Sequence, residues 1–202
     1  MSILLKTENT LRFLTIPGGG GSLSNHWQSH WEKECSTMER VDQDDWDTPV
    51  KSEWVATLDS AIRRSEKPTI LVAHSVGCIA AIHWTVALAN QVIGIFLVAP
   101  ADVEDKWADP PAAYASFRSI PLEKLRIPSL IVASTNDPYL SLSRAKFLAE
   151  AWGSELKVLG EYGHIGSESR LGRWQEGIDL LDRFSVHCLN VNTHKTRFSK
   201  GK

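Results

Sequence analysis

The chain has 202 residues, with 22 Lys and Arg against 24 Asp and Glu, a formal net charge of -2 and a pI near 6.4. This length suits one domain around a single sizeable hydrophobic interior, and the near-neutral balance gives no electrostatic reason for nucleic acid or an anionic membrane as the main partner. Cys35, Cys78 and Cys188 lie far apart without C-x-x-C spacing, the pattern of reduced, mostly buried thiols in a cytoplasmic protein.

The first residues, Met1 to Glu8, show no basic segment followed by an apolar one, and no apolar run approaches the roughly 20 residues of a membrane span. A soluble, unexported protein is the expectation. Leu11 to Ile16 is predicted as a strand ending at Pro17 and four glycines, followed by a helix from His26 to Cys35 and a short strand from Met38 to Val41. Trp54, Leu58 and Ile62, four apart, put one face of a predicted helix from Val50 to Arg64 against the core. A strand from Thr69 to Ala73 leads to Ser75 and a helix from Gly77 to Ala89, and Val92 to Val98 is the next strand. An irregular stretch from Pro100 to Pro121 precedes a strand from Ser129 to Ser134, a helix from Leu142 to Trp152, a strand from Leu156 to Leu159 and a helix from Arg173 to His187.

Alternating short apolar and longer amphipathic stretches are the pattern of a βα-repeating chain with a mainly parallel sheet. The expected fold is therefore α/β, a three-layer sandwich with a mainly parallel sheet of about six strands. Residues 1–189 are read as that one domain and 190–202 as a polar, frayed tail. The eight tryptophans are expected mainly in the core. Within the stretch from Ala101 to Pro121, Trp107, Tyr114 and Phe117 make either an ordinary crossover or a small lid.

The most informative run is Thr69-Ile-Leu-Val-Ala-His-Ser-Val-Gly-Cys. An apolar strand enters a small-x-Ser-x-Gly turn and leaves it as a helix, the signature of a nucleophile elbow, here with Ala73 where glycine is usual. A serine hydroxyl needs a general base and a group that orients the base. The chain order Ser, acid, His is met by Asp137, after the strand from Ser129, and by His164, in the glycine-flanked loop after the next strand. Asp102, after the strand from Val92, is a rival acid at the same sheet edge, and Asp137 read alone is a turn former in Asn-Asp-Pro. Amides of Val76 and of the glycine loop, with Gly19 the favoured residue there, are candidates for an oxyanion hole. The loop lacks the Lys-Ser or Lys-Thr of a phosphate cradle. His26 and His30, four apart, allow metal ligation from one helix face, but Trp27 stands where the H-E-x-x-H pattern has Glu, so neither metal nor cofactor is expected.

Pro17-Gly-Gly-Gly-Gly, His26-Trp-Gln-Ser-His-Trp, Ala73-His-Ser-Val-Gly-Cys and Gly163-His-Ile together resemble the small serine hydrolases related to the retinoblastoma-binding serine hydrolase, including the YdeN-like proteins. The resemblance runs from about Leu11 to Leu181. It implies a compact α/β-hydrolase fold without a large cap and Ser75, Asp137 and His164 as a catalytic triad. No cysteine here has Leu two positions before it, so the Leu-x-Cys-x-Glu element for retinoblastoma-type pockets is missing and that partner is not implied. The expected activity is hydrolysis of a small carboxylic ester, thioester or activated amide through an acyl-enzyme, with a small acyl compound as substrate. The alternative is a hydrolase-like protein-interaction module with a retained triad, its protein partner unspecified.

Overall fold

The computed structural model describes residues 10–85, 91–104 and 112–199, with side chains as far as Thr193. Six strands form one sheet in the order β2-β1-β3-β4-β5-β6, every neighbouring pair parallel. They are β1 (Arg12–Ile16), β2 (Met38–Arg40), β3 (Thr69–His74), β4 (Val92–Val98), β5 (Ser129–Ser134) and β6 (Glu155–Leu159). All residues of β1, β3, β4 and β5 are buried, because parallel crossovers leave helices on both sheet faces.

The two faces follow the period of two along each strand. Leu14, Leu71, Ala73, Ile95, Leu97 and Ile131 face one core. It is closed by helices α2 (Lys51–Arg63), α3 (Val76–Trp84) and α4 (Leu142–Trp152). Phe13, Ile70, Val72, Phe96, Val98 and Val132 face the other. Helices α1 (Trp27–Glu34) and α5 (Gln175–Ser199) cover that side. Trp27, Trp31, Trp54, Trp84, Trp152 and Trp174 are all buried, as expected of large apolar contacts. Trp107 lies outside the described residues.

The predicted elements recur with ends shifted by a residue or two, and the exceptions have physical causes. Helix α1 is shorter than its hydrophobic pattern because His26 and Cys35 are its caps, both with extended backbone. Helix α3 is buried at all but His83, so it is a core element without an amphipathic period; the rest of the predicted helix, up to Ala89, lies mainly outside the described residues. The last helix does not stop at His187 but continues through Ser199, where a polar sequence without Gly or Pro offers no stop signal. The irregular stretch contains a 3-10 helix, Ala112–Phe117; its centre, with Trp107, lies outside the described residues. Among the described residues no helix is long and apolar enough to cross a membrane.

Strand order fixes where a site can form. From β1 the chain crosses to β2 on one side, and from β3 to β4 on the other, so the connections part above the carboxyl ends of β1 and β3. Open α/β sheets bind ligands at such a crevice. The glycine loop follows β1 and Ser75 follows β3.

Candidate active site

Ser75 has φ 56° and ψ -129°, a backbone conformation that a non-glycine residue holds only when its surroundings impose it. Here the Ser75 amide donates to the Val98 carbonyl at 3.1 Å, and the Ser75 carbonyl accepts from the Cys78 amide at 3.0 Å. The residue two places on must be glycine. A Cβ on Gly77 would lie 2.4 Å from the Pro17 carbonyl oxygen and 2.5 Å from that of Ile16, so the first turn of α3 sits directly on the end of β1. Ala73, buried in the sheet, is accommodated where glycine is usual.

His164 and Asp137 meet this serine. The Ser75 hydroxyl lies 2.8 Å from His164 Nε2, and His164 Nδ1 is 3.0 Å from each carboxylate oxygen of Asp137. Bonding to the carboxylate places the imidazole proton on Nδ1 and leaves Nε2 to accept from the serine. Asp137 is itself fixed, with Oδ1 accepting from the Tyr139 amide at 2.8 Å. Asp102, the rival acid, faces away. It is buried with its carboxylate 3.0 Å from Arg144 Nε, while its amide donates to the Tyr139 carbonyl. Arg144 also bonds Glu104, whose other oxygen accepts from the Ile120 amide. Asp102 thus braces the loop that carries Asp137.

The glycine loop adjoins the serine from the β1 side. A Cβ on Gly18 would lie 2.6 Å from the Ser75 Cβ, and one on Gly19 would lie 2.0 Å from the Tyr114 hydroxyl. The Gly20 amide donates to the Trp46 carbonyl and the Gly21 amide to that of Gly18, leaving Gly18 and Gly19 as the loop amides without such a bond among the described residues. Val76 begins α3, where a first-turn amide has no acceptor within its helix. Behind the loop, Arg40 donates to the Ser22 carbonyl and the Ser29 hydroxyl while paired with Glu32. Gln28 accepts from the Ser22 hydroxyl and donates to the Val72 carbonyl.

A half-open cavity of about 530 Å³ gathers these pieces. Gly18, Gly19, Ser75, Val76 and His164 line it together with Tyr114, Tyr139, His26 and His74. Tyr114 comes from the 3-10 helix in the suspected lid, and burial raises the pKa of its phenol, which keeps it a hydrogen-bond donor. Tyr139 meets the His164 ring edge-on, centroids 4.8 Å apart.

Sequence reasoning missed several residues that support the histidine. His74, next to the nucleophile, directs Nε2 to the His164 carbonyl at 2.9 Å. Trp27 donates to the next carbonyl, that of Ile165, at 2.8 Å. Asn136 Oδ1 accepts from the Gly163 amide at 2.7 Å, and the Ser134 hydroxyl accepts from the Tyr162 amide at 3.0 Å. The Asn-Asp pair after β5 was a visible signal, but the sequence points to Asp137 and gives Asn136 no role. His26 is a buried helix cap, its Nδ1 accepting from the Gln28 amide at 3.2 Å. Burial, followed by the nearby Arg40, His164 and His30, lowers its pKa to about 3. Burial, with His26 and His164 beside it, also holds His74 well below the ordinary histidine range. Capping withdraws one ring nitrogen of His26 from any metal, and among the described residues no group of three or more His, Cys, Asp or Glu is arranged to hold one.

The family model for serine hydrolases matches residues 13–183. Among solved structures, one described as a YdeN-like hydrolase from Pectobacterium atrosepticum is 34% identical, with a TM-score of 0.82 over 92% of this chain and 97% of that one. The ydeN gene product of B. subtilis, at 18% identity, has a TM-score of 0.69 over 88% of this chain and 100% of that one. Esterase 2 of Thermogutta terrifontis, at 17% identity, has a TM-score of 0.63 over 88% and 83% and is a likeness of fold. No curated protein sequence matches the chain significantly. A match over most of the chain, joined to a close structural relative, makes this protein a member of the serine hydrolase family, in its YdeN-like group.

Proposed function

We propose that this hydrolase cleaves small carboxylic esters through an acyl-enzyme formed on Ser75. The observation that carries the reading is the unbroken hydrogen-bond chain from the Ser75 hydroxyl through His164 to Asp137, at 2.8 and 3.0 Å. Ser75 Oγ attacks the ester carbonyl while His164 Nε2 takes its proton. Asp137 holds the imidazole in the productive tautomer and stabilises the imidazolium. The carbonyl oxygen becomes an anion held by the Val76 and Gly19 amides, preorganised donors of the kind whose single loss costs about 2.7–4 kcal/mol in the transition state. When the tetrahedral intermediate collapses, the alcohol leaves with the proton from His164. Water then repeats the sequence on the acyl-enzyme and releases the acid. Thioesters and activated amides undergo the same steps with a different leaving atom.

A fluorophosphonate probe tests the reading, because it modifies only an activated serine. Labelling of the native protein and none of Ser75→Ala is expected, with hydrolysis of p-nitrophenyl butyrate falling by about 10⁴-fold or more in the variant. A folded native protein that neither labels nor turns over ester would leave a protein-interaction role instead.

A further inference from the structure

The geometry points to His74 as a positioning residue for His164, acting with Trp27 as a clamp on the main chain of the histidine loop; the inference rests on the triad reading above. Period-two alternation along β3 sends His74 to the same sheet face as Ile70 and Val72, away from Ser75 and toward α1. There its Nε2–H donates to the His164 carbonyl at 2.9 Å, and the indole N–H of Trp27 donates to the Ile165 carbonyl at 2.8 Å. Two successive carbonyls are thus held from one side. The Tyr162 and Gly163 amides are held from the other by Ser134 and Asn136, at 3.0 and 2.7 Å. Ile165 needs such restraint, having φ 50°, an unusual conformation for a β-branched residue.

Two further rings pack on His74: the His26 ring meets it edge-on with centroids 4.8 Å apart, and the His164 ring is tilted against it at 5.0 Å. His26 is buried and Nδ1 caps α1, while Nε2 is buried without a hydrogen-bond partner. An imidazolium at His74 would stand among these two rings with no carboxylate bonded to it among the described residues. The neutral Nε2–H form is the one that serves the clamp. The elbow therefore supplies both the nucleophile and, one residue earlier, the donor that sets the height of its base.

The test separates hydrogen bonding from bulk. Gln carries an N–H near the position of the imidazole Nε2, whereas Phe keeps the ring volume and has no donor. His74→Phe is expected to lose about 10- to 100-fold in kcat for p-nitrophenyl butyrate with KM within about twofold, as for a displaced catalytic group. His74→Gln should keep kcat within about threefold of the native enzyme, and fluorophosphonate labelling rates should follow the same order. Trp27→Phe, which removes the indole donor together with part of the ring volume, should lose kcat in the same direction and provides an independent arm should His74→Phe not fold. Equal kcat for native enzyme and His74→Phe, equal impairment of the Gln and Phe variants, or an unchanged Trp27→Phe would overturn the clamp. Labelling of the native protein that survives in Ser75→Ala, or its absence throughout, is a separate outcome that removes the triad reading and the clamp with it.

Discussion

At the scale of single residues, the two acids that compete in the sequence have different chemical surroundings. Asp137 places both carboxylate oxygens 3.0 Å from a histidine nitrogen, whereas Asp102 is buried against a guanidinium. Substituting each by Asn therefore separates catalysis from stability. Asp137→Asn should lower kcat by about 10⁴-fold with little loss of folding stability, because an amide holds the wrong imidazole tautomer. Asp102→Asn should leave the partly buried Arg144 with Glu104 as its remaining carboxylate and cost about 1–3 kcal/mol in urea unfolding, with kcat in the folded protein changed far less. The reverse pattern would make Asp102 the working acid. Ser75, Asp137 and His164 were legible as candidates because each has a functional residue type at a strand end and the three occur in a chemically meaningful order. His74 and Asn136 were not legible as supports. Each looks ordinary beside a more conspicuous neighbour, and the bonds they make join positions 90 and 27 residues apart in the chain.

At the scale of elements, the strand-turn-helix unit around Ser75 depends on how closely α3 approaches β1. Gly77→Ala would put a methyl group 2.4 Å from a main-chain oxygen, and a main-chain atom cannot rotate out of the way. The expected result is a loss of about 1–3 kcal/mol in stability, the cost of overpacking, together with a loss of labelling at Ser75 at temperatures where the variant is folded. Full stability and full labelling would mean that the helix can shift without consequence. Most element positions could be read from hydrophobic period. The exceptions were α3, which is buried at all but His83 and was placed by the elbow rather than by a polar face, and the end of α5, where the period fades but helix-forming residues continue. The caps of α1 were also missed, since His26 is an uncommon cap and only the bond to the Gln28 amide reveals it.

At the scale of the whole molecule, the buried histidines make folding sensitive to acid. His26, at about 3, and His74 both have folded-state pKa values below the ordinary 6.5. Below about pH 6.5 the unfolded chain binds protons that the folded chain refuses. The stability associated with these groups is thus complete above that pH and declines as pH falls from about 6.5 toward 3, the folded-state value of His26, by up to about 1.4 kcal/mol per pH unit for each group. Urea midpoints should fall over this range. His26→Asn, which can still cap a helix, should show a shallower decline; a flat native profile would contradict the burial argument. The cavity also makes a prediction for substrates. About 530 Å³ between Tyr114, Tyr139 and the glycine loop lies within the ordinary range of small-molecule sites and suits a compact substrate, so kcat/KM for p-nitrophenyl butyrate is expected to exceed that for the palmitate ester by about tenfold or more. Equal values would contradict a preference for compact substrates.

Local sequence by itself determined the α/β class, the strand count, the elbow at Ser75 and the candidate partners, because apolar period and turn chemistry act over a few residues and are written contiguously. Tertiary structure decided which acid faces His164, the closeness of α3 to β1 and the grip of His74 and Trp27 on the histidine loop. Those outcomes depend on strand order and on which face of the sheet each side chain occupies, which bring distant residues within hydrogen-bond reach only after the chain has folded.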